Sequence, residues 1–186
     1  MFATSRLIST TAILSILVLS ASAFASEENY EEAAKQLQQR LGKVLMSTIQ
    51  KDGHVAAISV CNEQAPEIAS AVSDELNLSV GRTSLKVRNP QNEPTKKQEQ
   101  VLKEFERLWS KTKENVPTQR YTNEEGHTVW MKAIVMQPQC AACHGSNIEP
   151  ELRKAITQKY PNDKATGFDV GDIRGAFVVR SKNQNQ

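Results

Sequence analysis

An excess of charge of either sign is missing from this 186-residue chain, in which 23 lysines and arginines face 21 aspartates and glutamates. A balance so close to neutral offers no extended basic face to a phosphate backbone, which argues against a nucleic-acid partner. Internal repeats and low-complexity tracts are also lacking, apart from a polar tail, Ser181 to Gln186, expected to fray. No apolar run after residue 25 is long enough to cross a bilayer, so no membrane span is expected once the first residues are removed. Cysteine and histidine are scarce, three of each. An odd number of cysteines cannot pair completely within one chain, and one thiol needs another fate.

The first 25 residues have a pattern of their own. Arg6 supplies a positive charge, Leu7 to Leu19 is mostly apolar, and the small residues Ala23 and Ala25 precede Ser26. This is the pattern of an export signal cleaved after Ala25. Residues 26–180 then make one domain, large enough to enclose a core. Of the charged residues only Arg6 lies in the signal, so the mature chain keeps 22 basic against 21 acidic groups.

Most of the chemistry is concentrated in Cys140-Ala141-Ala142-Cys143-His144. Two thiols three positions apart, followed at once by an imidazole, form the pattern that ties haem covalently to protein. Each thiol can add to one vinyl group on the same edge of a porphyrin, and the next imidazole lies where it can reach the iron. The expectation is one haem c per chain, held by Cys140, Cys143 and His144. A disulfide switch would need no histidine, and a zinc site would need Cys61 or another imidazole as fourth ligand. Haem attachment to this pattern takes place outside the bacterial cytoplasm, which agrees with the export signal and implies a periplasmic protein. Cys61 is the thiol left over. In an oxidising compartment it is expected to be buried, paired between chains or bound to metal.

Hydrophobic spacing predicts an amphipathic helix from Glu27 to about Gln50, then an apolar stretch Val55 to Val60 leading into a second helix. Ala65-Pro66 starts that helix, which places Cys61 near a helix entry, where the dipole favours a thiolate. Val80 to Val87 reads as a strand, Arg88 to Pro94 as a loop and Lys96 to Lys113 as a helix. Gln119 to Asn123 and His127 to Met136 form a hairpin. Pro150 to Tyr160 is a short helix, Pro161 to Gly171 a polar loop and Ile173 to Arg180 a last strand. The order is that of an α+β domain on an antiparallel sheet.

Four motifs in this order resemble one family: Val60-Cys61-Asn62 with Ala65-Pro66-Ile68, the run Gly81 to Asn92, the haem pentad with Gly145, and Gly171-Asp172-Ile173-Arg174-Gly175-Ala176-Phe177. The chain is similar to single-haem, exported c-type cytochromes with a PAS-like sheet, long catalogued as a domain of unknown function. The resemblance covers most of the mature chain. It implies a PAS-like antiparallel sheet with flanking helices and an N-terminal helix, haem c on Cys140 and Cys143, and His144 with Cys61 as axial ligands. Lys96-Lys97 departs from the aromatic residue expected near the loop.

Spacing alone leaves the sixth ligand open among Cys61, His54, His127, Met46, Met131 and Met136. Met131 and Met136 suit a sheet core, and His54 and His127 suit exposed turns. Arg82, Lys86, Arg88 and Arg174 are candidates to pair with haem propionates, because a guanidinium grips a carboxylate through two parallel hydrogen bonds. Trp109, Trp130 and Tyr121 could stack on porphyrin or fill core, and Asn89-Pro90 with Asn92 could cover the haem edge. The functional expectation is a redox or ligand sensor, with a soluble electron-transfer cytochrome as the alternative. No paired acid and base groups are visible, so no catalytic residue is assigned and the chain is not read as an enzyme. A separate redox or signalling protein is the expected partner, and exposed helix faces leave room for a homodimer.

Overall fold

The computed structural model describes residues 18–182. Most of the segment read as an export signal, residues 1–17, and residues 183–186 of the polar tail lie outside the described residues. Helix α1 (Val18–Ser59) is broken at Gly53, whose φ of 83° and ψ of 175° are open only to glycine. Val60 packs in one cluster with Leu41. In an unbroken helix two residues so spaced would stand about 28 Å apart, so the chain turns back at Gly53. A five-residue π turn (Val60–Gln64) then runs directly into α2 (Ala65–Glu75), which carries Pro66 in its first turn. The helix expected to end near Gln50 therefore continues to Gly53, and the stretch after it is helical as well.

Four antiparallel strands, β1 (Leu78–Thr83), β2 (Thr118–Thr122), β3 (Thr128–Val135) and β4 (Ile173–Ser181), make one sheet in the order β1-β4-β3-β2. Helix α3 (Lys96–Thr112) links β1 to β2, and its Thr95–Gln98 capping box satisfies two donors at its start. The α+β architecture is the expected one. Two boundaries are corrected. The strand read to Val87 ends at Thr83, because the Ser84 hydroxyl donates to the Arg174 carbonyl at 2.7 Å and turns the chain off the sheet. Ser181 pairs with Leu78, so the polar tail starts one residue later than expected.

The sheet is covered on both faces. Trp130, Phe177, Val179 and Val80 pack against Tyr30, Ala33, Ala34 and Leu37 of α1 and Val72 of α2. Val129, Met131, Ala133 and Ala176 pack against Val101, Leu102 and Phe105 of α3. Full burial of a side chain such as Leu102 or Phe105 contributes about 1.5–3 kcal/mol. This alternation fixes the register, since a slip of one residue would exchange the two sets. Leu78 and Val80 belong to the α1 face, and Arg82, two residues on, follows them. At the far end the pairing jumps from Ile134 with Gly175 to Val135 with Ile173, which leaves Arg174 without a partner on β3. A bulge of this kind re-aims the extra residue. Gly175 is required beside it, because a Cβ there would lie 2.4 Å from the Thr83 carbonyl oxygen.

Among the described residues no helix is long and apolar enough to cross a membrane. The turn at Gly53 gives a direct test of the fold. No atom lies within 4 Å of a Cβ added at Gly53 or at the helical Gly42. Gly53→Ala should cost about 1–3 kcal/mol in urea unfolding through backbone strain alone. Gly42→Ala should stabilise by up to about 1 kcal/mol.

Candidate functional site

Where α1 runs past the end of the sheet, a cavity of about 230 Å³ opens. Leu41, Leu45, Met46 and Ile49 of α1 form one wall, Ile134, Val135 and Met136 another, and Asn89 and Asn92 stand at its rim. Thr83 fixes that rim by donating to the Asn92 carbonyl at 3.0 Å. The loop read as a possible cover therefore does border the site.

The pentad forms a 3₁₀ turn (Pro138–Cys140) that runs into the single-turn helix α4 (Ala141–His144). One helical turn separates Cys140 from Cys143, and both line the cavity together with His144. Gly145 lets the chain leave, since a Cβ there would stand 2.6 Å from the Ala141 carbonyl oxygen. The 161–171 segment braces this turn from behind. The Phe168 and Gly167 amides donate to the carbonyls of His144 and Gly145, each at 3.1 Å.

His144 Nδ1 lies 2.7 Å from the Ala165 carbonyl oxygen. That oxygen can only accept, so Nδ1 carries the proton and Nε2 keeps its lone pair. Burial first, then the guanidiniums of Arg174 and Arg88, push the His144 pKa down to about 3. The ring is therefore neutral, as a metal-binding imidazole must be. Arg174 Nε approaches Nδ1 at 3.3 Å. With the proton already on Nδ1, this N–H has no acceptor there.

Arg88 is buried and pairs with Asp163 at 3.0 Å. The same amino group donates to the Cys143 carbonyl at 2.6 Å, so Arg88 clamps the pentad to the 161–171 segment. Its Nε is buried with no partner. Arg174 donates to Ser84 Oγ at 3.0 Å and lies over the Phe168 ring. Arg82 has neither a hydrogen bond nor an ion pair among the described residues. Burial lowers the pKa of Arg82, and burial with the neighbouring guanidiniums brings Arg174 to about 10. Lys86 lies outside this cavity. It is exposed, with its ammonium 4.9 Å from the centre of the Phe168 ring.

Cys61, on the π turn, also lines the cavity. Burial raises its thiol pKa, and the charges of Arg82, Arg88 and Arg174 oppose that rise. Met46 and Met136 share the cavity with it, whereas His54, His127 and Met131 do not. Met136 packs with Ala165 and Phe168, in the wall that carries His144. His54 is exposed, His127 is near Glu125 at the hairpin turn, and Met131 is core. Trp130 is core as well, Trp109 donates its indole N–H to the Gly171 carbonyl, and Tyr121 lies under Lys97, so none of the three borders the cavity. The aromatic residue that does is Tyr160, with its pKa pushed up to about 12 mainly by burial. Sequence reasoning missed Tyr160, Asp163, Ala165 and Phe168. They sit at a helix end and in a polar loop, and no motif sets them apart.

A neutral imidazole among thiols and guanidiniums, in a cavity whose lining includes no carboxylate, defines a binding domain on a doubly covered antiparallel sheet. The chain belongs to the Tll0287-like family, whose model matches residues 19–181. Its fold is similar to that of a cyanobacterial protein described as the heme-protein Tll0287. The two share 24% identity and a TM-score of 0.61, over 89% of this chain and 97% of that one. No curated protein matches the chain at a significant level.

The Arg88–Asp163 pair gives the test of the site's framework. Removing one partner leaves the other charge buried, so Arg88→Met or Asp163→Asn should each lose about 3–5 kcal/mol in chemical denaturation. The double variant should lose less than the sum of the two.

Proposed function

We propose that this chain is exported, carries one covalent haem c and works as a redox or ligand sensor in the periplasm. The observation that carries the reading is the meeting of Cys140, Cys143, His144 and Cys61 around one cavity. The likeness in fold to a cyanobacterial heme-protein supports it. The charges fit as well. Three guanidiniums border the cavity, and the single carboxylate paired with them is Asp163 behind Arg88, so a group bearing two carboxylates would balance the site.

In this reading Cys140 and Cys143 would hold the group through two thioether links, and His144 Nε2 and Cys61 Sγ would be the donors offered to its iron. Arg82 and Arg174 face the carboxylates. When bound, the group supplies an iron that changes charge by one electron. A thiolate donor favours the ferric state. The residue that responds to an electron is therefore Cys61, and its setting suits a response. A π turn is an element frequent at functional sites. Here it joins two helices, and Val60 packs it against Leu41 and Ala65. Movement of Cys61 would thus be passed to α1 and α2, a two-state element of the kind a switch requires. An electron carrier would instead need donors that stay in place when the iron changes charge.

The test is the chain matured in an export-competent host with haem-attachment machinery. Colour resistant to acidified acetone, a reduction potential below that of His/Met cytochromes, and a spectrum changed in Cys61→Ala are the expected results. A colourless product would sink the haem reading. A six-coordinate spectrum that persists through reduction and carbon monoxide would replace the sensor with the carrier.

A further inference from the structure

We infer that Arg82 and Arg174 form a dicarboxylate receptor that captures and orients a planar porphyrin before any thioether bond is made. The inference rests on the haem reading and assigns the choice of substrate at that same site: a porphyrin with two free carboxylates on one edge.

Four observations lead there. No aspartate or glutamate lines the cavity, although three guanidiniums do. The charge of Arg88 is answered by Asp163 at 3.0 Å, which leaves Arg82 and Arg174 without an ion-pair partner among the described residues. The Arg82 guanidinium and the Nε–H of Arg174 also lack an acceptor, while Arg174 Nη1 donates to Ser84 and the Lys86 carbonyl. Arg82 has no hydrogen-bond partner among the described residues, and Arg174 Nε meets a nitrogen that already bears a proton. Finally, both cations are held in place without a carboxylate. Arg82 is half-buried on β1 opposite Phe177, and Arg174 is fixed by Ser84, the Lys86 carbonyl and the Phe168 ring.

Cations withdrawn from water and left without anions are costly, and the cost is recovered when carboxylates arrive. A guanidinium receives a carboxylate through a preformed fork, so two such groups select for two carboxylates. The apolar walls of α1 and β3 accept a flat ring whatever its edge carries, so charge makes the choice. Capture of this kind presents the vinyl edge to Cys140 and Cys143 at high local concentration.

The test uses the full chain made without haem-attachment machinery, with iron-free mesoporphyrin IX as the probe. Mesoporphyrin has no vinyl groups and no metal, so neither thioether formation nor axial ligation can contribute. Fluorescence titration should give binding at least about tenfold tighter for the diacid than for its dimethyl ester. The diacid alone should raise the melting temperature. Arg82→Gln and Arg174→Gln should each weaken the diacid by about tenfold without changing the ester, and Arg82→Lys and Arg174→Lys should recover part of the loss. Equal binding of diacid and ester, or equal weakening of both by the variants, would overturn the inference. The covalent reading fails separately: a wild-type chain that stays colourless after maturation yet still prefers the diacid refutes attachment and keeps the receptor.

Discussion

The buried ion pair between Arg88 and Asp163 is the interaction on which the site depends. A pair withdrawn from water gains little by itself, because desolvation offsets most of its Coulomb energy. Its importance lies in what it joins. Arg88 follows the end of β1, Cys143 belongs to the pentad, and Asp163 opens the segment that supplies Ala165 and Phe168. The single-turn helix α4 is far too short to persist alone. It keeps its place because Arg88 holds its last carbonyls from one side while the Phe168 and Gly167 amides hold them from another. The position of His144 is thus decided by residues remote from it in sequence.

The same concentration of positive charge explains the state of the imidazole. Loss of water first, and then the guanidiniums of Arg174, Arg88 and Arg82, disfavour a second proton on the ring, while the Ala165 carbonyl requires one on Nδ1. Both pressures leave a neutral ring with one free lone pair. The thiol of Cys61 feels a contrary balance, since burial favours its protonated form and the guanidiniums favour the thiolate. One electrostatic field therefore acts on the two groups in different ways: it adds to the burial that keeps the imidazole neutral, and it opposes the burial that on balance raises the Cys61 thiol pKa.

What the sequence disclosed, it disclosed through local chemistry. Cys140, Cys143 and His144 announce themselves by spacing, Cys61 by being the odd thiol, and the helices by apolar stripes whose faces the structure reproduces, as with Val101, Leu102 and Phe105. Arg82 and Arg174 were legible as cations near motifs, yet their convergence depends on strand register and on a bulge at Arg174, which is set by pairing between distant segments. Lys86 touches Arg174 through its carbonyl but stays out of the cavity, because the Ser84 hydroxyl turns the chain off the sheet after Thr83. Asp163, Ala165 and Tyr160 had no local signal at all. Their roles come from long-range contacts with Arg88, His144 and the cavity, and the backbone carbonyl through which Ala165 acts carries no side-chain signature.

The two sides of the cavity differ in how firmly they are built, and this asymmetry bears on function. The His144 side is secured by an ion pair, three hydrogen bonds to its carbonyls and a fixed tautomer. The Cys61 side rests on a π turn held by apolar packing of Val60 and Ala65 and by one exposed ion pair, Glu63 with Lys159, just after a glycine-dependent reversal of the chain. Packing contacts tolerate small displacements that directional hydrogen bonds resist. If charge in the cavity changes, the side able to yield is the one that carries the thiol. Cys61 lies on the π turn that joins α1 to α2, and α1 covers one face of the sheet, so packing links this residue to a large part of the fold.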